Sequence, residues 1–205
     1  MSLQRKEEIV ENLTKVKNNM QVILDKQQRQ ACLVAVSKYK PTEDLMYAYE
    51  AGQRHFGENY LPKDIQWHFI GHLQSNKCKT VAVERKDPLR VFVQVNTSEE
   101  EAKSGVSPAG TVQVCKHIME ACPNLKLHGL MTIGMFGRDP SEENPDFKCL
   151  VECKKQVEKE LGVKDLELSM GMSSDYIGAL EMGATNVRVG TTIFGGRLLK
   201  SELNK

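Results

Sequence analysis

The sequence has no apolar run that approaches the ~20 residues of a membrane-spanning helix, and no N-terminal apolar stretch of the kind that marks a signal peptide. Its first segment carries Glu7, Glu8 and Glu11, which a transit peptide avoids. Neither charge is in excess: 28 basic residues face 27 acidic ones, for a net charge of +1. A global field that would draw in nucleic acid or an anionic membrane is therefore excluded, and any anion site has to be local. None of the six cysteines, at 32, 78, 115, 122, 149 and 153, forms a C-x-x-C pair. They fall mostly in periodic apolar segments and read as reduced core residues of a cytoplasmic protein. Cys149 and Cys153 lie four apart on an expected helix, without the second Cys or His pair that a zinc site needs. His68 and His72 share strand parity, yet no carboxylate or third histidine stands at useful spacing, so no metal is expected.

What is present fits one soluble domain over residues 1–205, 40% hydrophobic and 27% charged. From Ser2 to about Gln28, Ile9, Leu13, Val16, Met20 and Ile23 fall in alternating steps of four and three, which predicts a helix packing one face on the body of the domain. Strands are expected at 32–38, 54–60, 65–73, 90–96, 125–133, 166–170 and 186–194, with helices opening at Pro41 and spanning about 108–121, 145–161 and 174–182. Alternating strands and helices predict an α/β fold with a mostly parallel sheet. Seven strands are one short of a (β/α)8 TIM-type barrel. The stretches 60–64 and 78–89 are too short for the missing unit, since a crossover takes at least ~10–12 residues.

Two regions carry chemistry. Cys32 to Ser37 is an apolar, β-branched run that leads into Lys38, then Lys40-Pro41. In α/β proteins ligands sit at the carboxyl ends of parallel strands, and a lysine amine placed there can form a Schiff base with an aldehyde or ketone. Read alone, Lys38 is equally a solvated surface lysine. At the far end of the chain, Leu168 to Asp175 is a strand running into Met170-Gly171-Met172-Ser173-Ser174, and Asn186 to Gly196 places Arg188 and Gly190 on one side of a strand. Backbone N–H groups and the Ser173 hydroxyl there could cup an anion, and the loops after strands seven and eight of such barrels frequently bind phosphate. Ser173 and Ser174 could also be plain helix caps. Glu58 reads either as an acid or base at the site's mouth or as a structural partner, while Lys77 and Lys103 read as solvated.

A reactive aldehyde and a phosphate together describe pyridoxal 5′-phosphate (PLP). The sequence resembles the pyridoxal-phosphate homeostasis protein family in seven separated segments: Val34 to Lys38 with Lys40-Pro41, Phe56 to Tyr60, Trp67 to Gln74, Gln94 to Ser98, Gly129 to Gly134, Leu168 to Ser173, and Val187 to Gly195. The resemblance implies a barrel related to the N-terminal domain of alanine racemase. It implies Lys38 as the Schiff-base lysine, with Ser173, Gly190 and Thr191 on the phosphate. Arg188 would face the pyridine nitrogen and Asn59 would line the site beside the ring, with Met170 in the same cofactor-binding set. Similar proteins carry a helix after the Asn-Tyr, and a helix, strand and helix between Lys79 and Arg90, which this sequence lacks.

Arginine remains protonated and can only donate, so Arg188 would leave the pyridine nitrogen without a proton and the cofactor a poor electron sink. The resemblance thus implies a non-catalytic carrier or buffer of PLP in the cytoplasm, a monomer that passes the cofactor to PLP-dependent apo-enzymes. The alternatives are a PLP-dependent amino-acid racemase or decarboxylase, and a barrel that uses Lys38 on a sugar phosphate. A racemase also needs a base on each face of the substrate, and no second domain to supply one follows within these residues.

Overall fold

The structure is a computed structural model that describes residues 3–57, 66–70, 87–100, 103–139 and 142–196. In chain order its elements are α1 (Leu3–Gln27), β1 (Cys32–Val36), α2 (Thr42–Glu50), β2 (His55–Gly57), β3 (Gln66–His68), β4 (Leu89–Gln94), a 3-10 turn (Pro108–Gly110), α3 (Thr111–Ala121), β5 (Leu125–Met131), α4 (Pro145–Leu161), β6 (Glu167–Ser169), α5 (Tyr176–Glu181), β7 (Asn186–Val189) and α6 (Thr191–Phe194). Strands alternate with helices and the paired strands run parallel, which is the α/β class the sequence indicates. Glu58, Asn59 and Tyr60, His72, Lys77, Cys78 and the short stretches at 60–64 and 78–86 lie outside the described residues. The chain divides into two compact units, the first made of residues 1–70, 171–180 and 186–205, the second of 71–170 and 181–185.

In the first unit β1 is flanked by β2 and β7, and β2 by β3. Helix α1 contains no glycine or proline, and it buries Ile9, Leu13, Val16, Met20 and Leu24. Each such side chain contributes about 1.5–3 kcal/mol by leaving water. Ile23, expected on this face, is half-buried instead. At 3.6 residues per turn Ile23 and Leu24 flank the stripe on opposite sides, and at the last turn the covered side is that of Leu24. Arg5 fastens the other end: its Nη2 donates to Asp44 Oδ2 at 2.6 Å and to Phe194 O at 2.9 Å, joining α1 to α2 and α6. Buried Gln53 donates to the carbonyls of Leu33 and His55, at 2.7 and 2.8 Å, and so satisfies acceptors on β1 and β2.

In the second unit β5 lies between β4 and β6. The β4–β5 register shifts after Val91, leaving His128 as the extra residue of a bulge. Gly129 follows because a Cβ there would lie 2.1 Å from the carbonyl oxygen of Glu167 on β6. Helix α4 has the boundaries read from the sequence. Asn144 Oδ1 accepts from Asp146 N at 2.9 Å, Pro145 takes the first turn, and Gly162 leaves the helix at φ +66°. Its buried face, Phe147, Leu150, Cys153 and Val157, forms part of this unit's core.

Candidate functional site

The residues singled out at the two ends of the sequence meet in the first unit. β1 and β7 are adjacent and parallel, with Cys32 opposite Asn186 and Val34 opposite Arg188. Their carboxyl ends therefore finish at one edge. β1 stops at Val36, two residues earlier than the sequence reading, and Lys38 sits in a turn closed by Lys40 N donating to Ser37 O at 2.9 Å. Tyr39 takes φ +63° in that turn, and Lys38 itself is half-buried. A strand could not end and reverse so sharply while keeping Lys38 in the ladder, and Pro41 supplies no N–H to continue it.

β7 is also shorter than expected. The β-branched run Thr191-Thr192-Ile193 favours a strand, but it forms the single helical turn α6. Gly190, at φ −120° and ψ −69°, turns the chain. Ser173 Oγ then accepts from Gly190 N at 3.2 Å and from Thr192 N at 3.3 Å, capping the N–H groups this turn frees. A side chain at Gly190 would meet Val36 O at 2.9 Å, so only glycine lets β7 come this close to the end of β1. Ser173, Gly190 and exposed Thr191 thus surround a cluster of backbone N–H donors beside the end of β1.

Arg188 is 7% exposed, an unusual burial for an arginine. Burial pushes its guanidinium down to about 10, with the negative charge of Asp175 opposing the shift. At neutral pH it is still a cation and can only donate. Met170 is fully buried at the end of β6 and belongs to the second unit, so the geometry does not add it to this group. Asn59 lies outside the described residues. Lys103 is not freely solvated: it donates to Gly134 O at 2.7 Å and pairs with Glu100.

Two residues to which the sequence assigns no site role organise the site. Lys40 Nζ donates to the carbonyls of Gly195 and Gly196, at 2.9 and 2.5 Å, which clamps the loop after β1 to the end of α6. Asp175 Oδ1 accepts from Met172 N at 2.6 Å, shaping the turn that carries Ser173. The Lys40-Pro41 pair and the Ser-Ser-Asp turn were visible signals, but their partners stand more than a hundred residues away or reside in backbone geometry. Three side chains from separate strands, Cys32, His55 and His68, also converge in this unit.

The sequence model of the family "Alanine racemase, N-terminal domain" matches residues 61–198. The pyridoxal phosphate homeostasis protein of Schizosaccharomyces pombe is 46% identical, over 82% of this chain and 85% of that protein. Among solved structures, PipY of Synechococcus elongatus PCC7942 with PLP bound is 28% identical with a TM-score of 0.74, covering 91% of this chain and all of PipY. Alanine racemase of Corynebacterium glutamicum, at 13% identity and a TM-score of 0.67, covers 93% of this chain and 62% of its own, which establishes the barrel-type fold alone. By sequence and by fold, the chain belongs to the pyridoxal phosphate homeostasis protein family, built on the alanine racemase N-terminal domain.

Proposed function

We propose that this protein binds pyridoxal 5′-phosphate and serves as its carrier or buffer, with Lys38 as the covalent anchor. The observation that carries this reading is the buried, charged Arg188 on β7, next to β1, whose following turn carries Lys38, in a chain whose relative PipY was solved with PLP bound. Ser173, Gly190 and Thr191 would hold the phosphate, with the Gly190 and Thr192 N–H groups that donate to Ser173 Oγ turning to the anion. Asn59 would line the site beside the ring. When bound, the cofactor supplies an aldehyde that condenses with the Lys38 amine and releases water, and hydrolysis or an incoming amine reverses this linkage.

The protein's own groups favour holding over turnover. Arg188 cannot accept a proton, so it supports an unprotonated ring nitrogen. Lys40, by fixing the Gly195–Gly196 carbonyls, keeps the loop after β7 in place around the phosphate. None of the five described cysteines is in a disulfide, and two of them, Cys115 and Cys153, are buried, which agrees with a cytoplasmic protein. A reversible linkage suits delivery to apo-enzymes by a monomer.

The test is the absorption spectrum of the purified protein with added PLP. An imine band and a borohydride-fixed adduct on Lys38 are expected, and both disappear in Lys38→Ala. Retention of the same band and adduct in that variant would overturn the assignment, and robust multiple turnover of an amino acid would overturn the carrier role.

A further inference from the structure

Cys32 opens β1, His55 opens β2 and His68 closes β3. In the β1–β2 register Ala35 stands opposite Phe56, so Val34 faces His55's position and Cys32, two residues earlier, shares its side of the sheet. In the β2–β3 register His55 stands opposite Gln66 and Gly57 opposite His68, which puts His68 on that side as well. One donor atom from each of the three lies within 4.8 Å of the other two. His55 Nδ1 and His68 Nε2 are 3.1 Å apart. All three residues are half-buried, so a hydrated ion can reach them while much of the site is already out of water.

We propose that Cys32, His55 and His68 form a zinc site. Tetrahedral zinc with bonds of about 2.0–2.3 Å to nitrogen and sulfur places its ligand atoms roughly 3.3–3.6 Å apart; the two histidine nitrogens, at 3.1 Å, are close to this, and Cys32 Sγ lies within 4.8 Å of both. One thiolate and two imidazoles suit zinc, while the lack of an oxygen ligand disfavours magnesium and calcium. Binding requires the Cys32 thiol to give its proton to solvent and His55 to carry its remaining proton on Nε2, which leaves Nδ1 free to coordinate. Water takes the fourth position. The site joins three strands, two of which span only three residues and have few ladder bonds of their own. Zinc would therefore staple the part of the sheet next to the strand that leads to Lys38. The site does not depend on the PLP reading, because neither Lys38 nor Arg188 is a ligand.

The experiment uses the full chain, stripped of metal with a chelator and titrated with cobalt(II). Expected are the visible bands of tetrahedral cobalt, a thiolate-to-cobalt charge-transfer band, and loss of both when zinc is added. Cys32→Ser should abolish the charge-transfer band, and His55→Gln and His68→Gln should each weaken zinc binding roughly tenfold or more. Cys149→Ser and Cys153→Ser should leave the bands intact. In the unaltered protein, zinc at about a hundredfold over Kd should raise Tm by roughly 5–10 °C, a readout that requires no variant to fold. Octahedral cobalt without a charge-transfer band, bands that persist in Cys32→Ser, or a Tm indifferent to zinc would overturn the proposal.

Discussion

Among the described residues, the buried polar ones of the first unit include Asp44, Gln53, Asn186 and Arg188, and those of the second are Thr111, Thr132, Asp146 and Ser169. The two sets serve different ends. In the second unit Asp146, 1% exposed, is closed on itself: Arg138 Nε donates at 2.6 Å and Met135 N at 3.0 Å, while Asn144 caps its helix. Burial raises the Asp146 carboxyl, but the bonds from Arg138 and Met135 outweigh it and hold the group below its ordinary value. Thr132 likewise bonds Thr97 at 2.8 Å. In the first unit the buried Arg188 depresses its own affinity for a proton, a sign of a charge kept in low dielectric at some cost. Similar strand-and-helix construction buries a carboxylate against a loop in one unit and a guanidinium on β7 in the other. The bonds of Asp146 serve folding, and under the proposed function Arg188 serves binding.

Substitutions can break this contrast. The largest loss of stability is expected for Gly129→Ala, whose Cβ would sit 2.1 Å from the Glu167 carbonyl and force β6 away. About 3 kcal/mol, or a Tm lower by roughly 6–12 °C, should follow in thermal unfolding. Gly190→Ala, with its nearest atom at 2.9 Å, should cost less, about 1–2 kcal/mol, yet reduce PLP binding in a fluorescence titration. Equal loss of stability and binding in the two variants would erase the distinction between the units.

Asp146→Asn should destabilise by about 1–2 kcal/mol at neutral pH while the imine band stays unchanged. Because the folded carboxyl lies below its ordinary 3.8, its contribution is present in full above that value. It is lost as pH falls through the folded pKa, so wild type and variant should converge in acid denaturation. Arg188→Met should have the smallest effect on stability, within about 1 kcal/mol, since replacing a buried charge by an apolar side chain is often neutral. Its effect should appear instead as weaker cofactor retention during dialysis. A large stability loss in that variant would assign Arg188 to folding after all.

Much of this was legible from local pattern. The buried stripe of α1 is legible in Ile9, Leu13, Val16 and Met20, and α4 in its expected span of 145–161, because periodicity is a property of neighbouring residues. The end of β7 is not legible locally, since Thr191 to Ile193 have strand propensity and only the bonds from Gly190 and Thr192 to Ser173 Oγ reveal the helical turn. Lys38 was placed at the end of a strand that in fact stops at Val36, as the turn through Tyr39 depends on a left-handed residue no pattern marks. The grouping of His55 with Cys32 and His68 is not legible in the sequence because the three come from separate strands.

By itself, then, the sequence determined the alternation of strands and helices, the type of residue at the strand ends, and the presence of a lysine, an arginine and a Ser-Gly-Thr set suited to an aldehyde and a phosphate. These follow from periodicity and side-chain chemistry, which act over a few residues. Only the tertiary structure decided that β1 lies beside β7 and β2, that Arg188 is buried, that Lys40 clamps Gly195 and Gly196, and that Cys32 meets two histidines. Those outcomes depend on strand register and on contacts between residues far apart in the chain, and no local preference encodes them.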